Sequence, residues 1–343
     1  MLKTSTQMLK TSTHKARLRR AALRCAAVAA LLLSVPMATA HAADYPQRSV
    51  RFIIPFSAGG GADTLLRIMA NALGERWGQT TIVENRVGGN TVVGTVAAIS
   101  SPADGYTLFF AGDQSITINP AMMNVPYSVD KLTPITLIAK NPMLLVVTKS
   151  TPANNLKEFI ALAKAKPKTI LFGSSGAGSI QRLIMELMAQ SAGIELVHVP
   201  YRGSNETVAG MLAGDINATF NGVSNFVQLL AADKLRALAV ATDQRSSQLP
   251  NVPTVKEATD GQLSTVDTGS WFGLFAPAGT PDAIIQQVQK DVAAVIADPK
   301  VRKAMETRGF IPVGSTPAEY RDTIKKEAVQ WQKVIKDGNI KPE

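Results

Sequence analysis

The chain has 343 residues, enough for two domains that each bury a core; 45% hydrophobic and 18% charged residues exclude a disordered, collagenous or disulfide-scaffold protein. The formal charge of +10 is concentrated at one end: Lys3, Lys10, Lys15, Arg17, Arg19, Arg20 and Arg24 precede residue 42, where there is no acid, and the remainder carries 29 basic against 26 acidic residues, or +3. So small a balance, with no basic stripe interleaved with aromatics, gives no electrostatic case for nucleic acid.

The basic stretch is followed by an apolar run at 26–35 (AAVAALLLSV), Pro36, and the small residues Ala38-Thr39-Ala40-His41-Ala42. That order reads as a cleavable secretory signal peptide (1–42), cut after Ala42 in preference to Ala40. About ten apolar residues fall well short of the ~20 that span a bilayer. The single cysteine, Cys25, lies inside this segment. A mature chain without a thiol excludes disulfides, thiolate metal sites and cysteine nucleophiles together.

Strands and helices then alternate. A β-branched run at 49–55, a glycine loop, and a helix at 62–77 with apolar residues at helical spacing are followed by a strand at 80–84, a helix at 91–99 and a strand at 107–111. A second series has strands at 143–148, 169–172, 195–199, 216–220 and 235–239, with helices at 156–166, 179–192, 207–213 and 226–232 between them. Single helices between strands imply parallel, doubly wound sheets. The last segment has a strand at 271–276 and helices at 281–297, 301–307 and 317–336, too few strands for its helices, so it is expected to return to the first domain. Domain 1 is then 43–142 plus 271–343 and domain 2 is 143–270. Strands near 143–148 and 271–276 form the hinge, and ligand binds at the carboxyl ends of the strands.

Two glycine loops, PFSAGGGAD at 55–63 and GSSGAGS at 173–179, each join a strand to a helix N-terminus, where unpaired N–H groups and a positive dipole end favour an anion. The bland alternative is a pair of tight turns, with Asp63 only a cap. Sharper motifs fail: the second loop has P-loop spacing but Ser179-Ile180 where a phosphate-holding Lys and a Ser or Thr are needed, and the first is only a partial dinucleotide fingerprint. Gly173-x-Ser175-x-Ala177 approaches a nucleophile elbow without its final glycine, and His198 sits in an apolar strand as a core residue, which leaves no metal set.

PFSAGGGAD, VENR at 83–86 with Gly88-Gly89, PADGYTL at 102–108, the second loop, HVPYRGS at 198–204, LRALA at 235–239, LPNVPT at 249–254 and WFGLFAPAG at 271–279 occur in order from about 45 to 335. Together they resemble the Bug family, periplasmic solute-binding proteins of tripartite tricarboxylate transporters. The resemblance implies an α/β two-domain periplasmic-binding-protein (Venus-flytrap) fold, each domain a doubly wound mixed sheet with flanking helices, and a non-enzymatic role without cofactor or metal. It implies capture of a small carboxylate by a monomer that delivers it to membrane permease subunits from the periplasm. Carried over, the site residues are Phe56, Ser57, Ala58, Gly59, Gly60 and Asp63 in the first loop, Ser174, Ser175, Gly176, Gly178 and Ser179 in the second, Ser115 and Thr117 as lining, and Tyr201, Gly203 and Asn221. Both loops act mainly through backbone amides, and a side chain at Gly59 or Gly178 would block the carboxylate. Arg202 either meets a second carboxylate or faces solvent. Asn221 stands where many relatives have Asp, and its neutrality favours a simple organic acid over an amino acid. Two alternatives stay open: an exported hydrolase using Ser174 or Ser175, and delivery to a sensor in place of a transporter.

Overall fold

The computed structural model describes residues 45–337, apart from Ala177, Ser264, Thr265, Asp267 and Thr268, together with Ile340; the expected signal peptide lies outside them. Eleven strands form two sheets among the described residues. The first has the order β11–β4–β10–β3–β1–β2, from β1 (Val50–Ile54), β2 (Thr81–Asn85), β3 (Thr107–Gly112), β4 (Leu132–Asn141), β10 (Ser270–Pro277) and β11 (Ile311–Pro312). The second has β7–β6–β8–β5–β9, from β5 (Met143–Thr148), β6 (Leu171–Ser174), β7 (Val197–Pro200), β8 (Ala218–Gly222) and β9 (Leu235–Val240).

Both sheets are mixed. β1 runs parallel to β2 and β3, while β10 is antiparallel to β3 and β4; in the second, β6 is parallel to β7 and β8, and β5 is antiparallel to β8 and β9. The all-parallel expectation from alternation alone is therefore corrected. β10 is the reason in the first sheet: it runs opposite to both β3 and β4, which therefore share a direction; β4 itself was not read from sequence, because Pro134 removes a ladder N–H and breaks the strand pattern. The structure absorbs the proline at a register shift between Leu274 and Phe275 of β10, which faces it.

The chain changes sheet at Pro142, between β4 and β5, and returns just before Ser270. These crossings are adjacent, since Ser270 pairs with Asn141 and a Cβ on Gly269 would lie 3.5 Å from the Asn141 carbonyl. Neither expected hinge strand is shared: β5 pairs only within the second sheet and β10 only within the first.

The helices are α1 (Gly61–Trp77), α2 (Val92–Ile99), α3 (Asn119–Met122), α4 (Leu156–Ala165), α5 (Ile180–Ala192), α6 (Ser204–Ala213), α7 (Val227–Ala231), α8 (Val255–Ala258), α9 (Asp282–Ala297), α10 (Pro299–Glu306) and α11 (Pro317–Asp337). α1 buries Leu65, Leu66, Met69 and Leu73 against the first sheet and stops at Gly78, whose φ of 61° suits a residue without Cβ. α5 buries Leu183, Ile184 and Met188 on Phe172 and Phe220 of the second. α11 serves both cores: Tyr320 packs edge-on against Trp271 at 5.3 Å between ring centres, and Trp331 is buried with Phe172 and Phe220. A wide π turn, Gln114–Ile118, follows β3 and runs into α3.

Candidate functional site

The strand ends define the site. A cavity of about 510 Å³ is lined by the residues that follow β1 (Pro55, Phe56, Ser57), β2 (Val87 through Thr91), β3 (Asp113, Gln114), β6 (Ser175) and β7 (Tyr201, Arg202, Gly203), and by Asn221 and Gly222 at the end of β8. Carboxyl ends of parallel strands from both sheets thus face one space, as the sequence reading expected of this fold class.

Four helices begin there. Gly60, Gly61 and Ala62 bring the first turn of α1, Asn90 and Thr91 lead into α2, Ile180 and Gln181 open α5, and Gly203, Ser204 and Asn205 open α6. Of the residues at the helix entrances, Gly60, Thr91 and Gly203 make no capping side-chain bond; only Ser179 does, accepting from Arg182 N. Positive dipole ends from helices of 8 to 17 residues therefore converge on one cavity, with Val92 N and Val93 N of α2 already donating to the Gly89 and Gly88 carbonyls and Gly61 N of α1 to Asn225. The lining side chains include one cation, Arg202 at the exposed rim, and one acid, Asp113.

Of the residues expected from sequence, Phe56, Ser57, Gly60, Ser175, Tyr201, Gly203 and Asn221 line this cavity, and the rest lie behind or beside it. Asp63 is buried within the first loop, where its carboxylate accepts from Gly59 N and Arg67 Nε at 2.9 Å each and from Asn85 Nδ2 at 2.9 Å. Burial pushes this carboxyl up, but those hydrogen bonds and the Arg67 charge outweigh it and hold it below the ordinary carboxylate range. The Ala58 carbonyl accepts from Asn205 Nδ2 across the cleft, and Gly59 borders a neighbouring cavity with Thr64, Leu212 and Phe310. Ser115 donates to Thr91 Oγ1, and Thr117 donates to the Asp113 carbonyl inside the π turn.

In the second loop Ser174 is fully buried, its Oγ 2.7 Å from His198 Nε2 and bonded to Gly176, while Ser175 donates to Gln181 Oε1. A Cβ on Gly176 would come within 2.3 Å of Asn90 Oδ1, and one on Gly178 within 2.4 Å of Asn119 Oδ1. Neither Gly59 nor Gly178 lines this cavity, and a side chain on Gly178 would first meet Asn119 and Asn90.

Sequence reading missed the loop before α2. Gly88, Gly89, Asn90 and Thr91 all have positive φ (138°, 54°, 57° and 76°), and a β-branched residue in that region is strained. Ser115 at 2.9 Å and Asn119 at 3.2 Å hold Thr91 Oγ1 there, and Gln114 Nε2 donates to Asn90 Oδ1. The VGGNT run was the available signal. Asn225 was also missed; its Oδ1 accepts from Gly61 N at 3.1 Å, a second bond across the cleft. Asp113, Asn141 and Ser270 meet where the chain changes sheet, a juxtaposition no local pattern encodes. Asp113 Oδ1 accepts from Gln114 N at 2.7 Å, and Oδ2 has no hydrogen-bond partner among the described residues. Burial pushes the carboxyl up to about 7, against the pull of nearby Ser270 and of the Gln114 and Trp271 N–H groups.

Among the described residues no group of three or more His, Cys, Asp or Glu could hold a metal, and no helix is long and apolar enough to cross a membrane.

Residues 65–340 match the family described as "Tripartite tricarboxylate transporter family receptor". BugT of Bordetella pertussis is 31% identical over 300 residues, 87% of this chain and 91% of BugT. Among solved structures, Rpa4515 of R. palustris with adipate superposes with a TM-score of 0.82 at 32% identity, covering 88% of this chain and all of that one. MatC from Rhodopseudomonas palustris with bound malate gives 0.79 at 26% identity, over 85% of this chain and all of MatC. With its strand-end cavity, two mixed sheets and this match, the chain belongs to the receptor family of the tripartite tricarboxylate transporters, the periplasmic solute-binding proteins with which the Bug motifs are shared.

Proposed function

We propose that this chain, exported by its signal peptide, captures a small carboxylate in the interlobe cavity as a monomer and passes it to the membrane subunits of a tripartite tricarboxylate transporter, without chemical turnover. The observation that carries this reading is the convergence of four helix N-termini, three without a capping side chain, on a space with a single rim cation: a site that binds an anion through backbone N–H groups. The adipate and malate in two relatives' structures support the same ligand class. The carboxylate sits between the first turn of α1, at Gly60, and the entrances of α5 and α6, at Ser175 and Gly203. The lobes, 43–142 with 271–343 and 143–270, close about the crossings at Pro142 and Gly269. The bonds Asn205 to Ala58 and Asn225 to Gly61 join them when closed.

A hydrolase is the weaker reading. Ser174 has a histidine partner, but it is fully buried and outside the cavity wall, and Ser175, on the wall, bonds a glutamine. A general base must reach the proton of a nucleophile that touches substrate. Calorimetry with aliphatic mono- and dicarboxylates, beside native mass spectrometry of whatever co-purifies, tests the proposal. Micromolar binding of at least one carboxylate with no turnover is expected; hydrolysis of ester substrates that disappears in Ser174→Ala would overturn it.

A further inference from the structure

The floor of the cavity, at the seam between the sheets, holds three buried side chains with unused hydrogen-bonding atoms: Asp113 Oδ2, Asn141 Oδ1 and Asn221 Nδ2. Each residue is at most 5% exposed, and each lines the cavity. Asn221 Oδ1 is already committed, accepting from Gly222 N and Asn225 Nδ2. Two orphaned acceptors and one orphaned donor are costly to leave without partners, and a ligand that completes them recovers that cost.

We infer that Asp113 and Asn141 form a second subsite, which accepts hydrogen bonds from a hydroxyl or ammonium group on the carbon chain of the bound carboxylate. This rests on the carboxylate-binding reading and names the subclass of ligand. It also revises what the neutral Asn221 implies taken alone, because the acid absent at 221 is supplied at 113. A plain dicarboxylate offers Asp113 and the Asn141 side-chain oxygen no donor.

The groups around Asp113 fix the sign of the pH dependence. From α11, Glu327, which accepts from Trp271 Nε1, and Tyr320 face it; burial and the Asp113 charge push Glu327 up to about 8 and Tyr320 well above its ordinary value. Lys140 of β4 acts on Glu327, and Arg202 stays at the exposed rim. No ion pair among the described residues neutralises Asp113, so a ligand donor that favours its ionised form draws the proton off. Affinity for such a ligand rises as pH goes up through about 7 and then levels.

Titration calorimetry on the full mature chain from pH 6 to 8.5 would use succinate, malate and aspartate, alike except for hydrogen, hydroxyl or ammonium at one carbon, and adipate with its 2-hydroxy and 2-amino derivatives. Expected is at least a tenfold preference for the hydroxyl- or ammonium-bearing member of a set, with proton release at pH 6.5, and a preference below twofold in Asp113→Asn. The hydroxy and amino arms separate the two donor sources. Equal or tighter binding of the plain acids, or affinity that falls with rising pH, overturns the inference and leaves the carboxylate reading intact. Failure of all six to bind wild type overturns both. Should Asp113→Asn not fold, proton release and the pH profile of wild type decide alone.

Discussion

The loops at 55–61 and 173–179 read alike in sequence, each a glycine-rich link from a parallel strand to a helix, yet their helices begin differently. In the first, Gly60 offers no side chain to α1, and Asp63 turns inward to tie Gly59, Arg67 and Asn85 together, so the loop is braced from behind and its leading turn faces the cavity. In the second, Ser179 caps α5, Ser174 is bonded to His198, and Gly176 and Gly178 press against Asn90 and Asn119 of the other lobe. One loop is tied together by its own N–H groups, Gly59 N donating to Asp63, Gly60 N to the Ser57 carbonyl and Gly61 N to Asn225 Oδ1, and turns the start of α1 to the cavity. The other mainly docks a lobe and positions the strained Asn90-Thr91 entrance to α2. A shared glycine signature thus records two different needs for a missing Cβ: a left-handed turn at Gly59, and close approach of a neighbouring side chain at Gly178.

Gly178→Val should separate the two roles most strongly. Its Cβ would lie 2.4 Å from Asn119 Oδ1 and 2.9 Å from Asn90 Nδ2, so the lobes are pushed apart. We expect affinity to fall more than a hundredfold, with far-UV circular dichroism unchanged and small-angle scattering more extended. Normal binding would make the second loop a mere turn.

Asp63→Asn probes the bracing of the first loop. Loss of the charge on this buried carboxylate, which accepts from Gly59 N, Asn85 and the exposed Arg67, should lower stability by about 1 kcal/mol at pH 7. The folded carboxyl lies below its unfolded value, so its contribution is present above the unfolded pKa of about 4 and is lost as pH falls through the folded one. Denaturation midpoints of variant and wild type should therefore converge in acid. A constant gap down to pH 2 would deny the linkage.

Gly59→Ala should have an effect no larger than this, confined to stability. A Cβ there meets only Asn205 Nδ2 at 4.0 Å, but φ of 77° costs about 1 kcal/mol for a residue other than glycine. A lowered melting temperature with affinity within threefold is the expected pattern; a hundredfold loss of binding would return Gly59 to the ligand.

Arg202→Gln should do least. The side chain is exposed at the rim, while the N–H groups proposed to hold the anion lie on the cavity wall, where salt screens less. Less than fivefold loss of affinity is expected, with binding nearly independent of salt between 20 and 150 mM. A tenfold salt effect that vanishes in the variant would make Arg202 the main contact.

How much of this was legible beforehand follows from the range of the interactions. β5 and the helices at α1, α5 and α9 were read to within a residue at each end, because amphipathic spacing and glycine or proline stops lie within each segment. β4 and the π turn after β3 were not. β4 carries Pro134 and gains its place from β10, across a register shift, and from the short β11 on its other side. The π turn holds Ser115 and Thr117, both singled out from sequence, yet their roles as supports for Thr91 and for the turn itself appear only with their partners in place.

What the sequence determined by itself is local: two α/β series, two glycine loops at helix entrances, a family signature from about residue 45 to 335, and no cysteine after Cys25. Each depends on side-chain periodicity or backbone freedom over a few residues, which needs no partner to be expressed. Tertiary structure alone decided the mixed order of the sheets, the assembly of four helix N-termini around one cavity, and the meeting of Asp113, Asn141 and Asn221 at the seam. Those residues stand 28 and 80 positions apart in the chain, and only packing of the two sheets removes them from water, leaving polar atoms whose need for a partner is a property of burial and not of residue type.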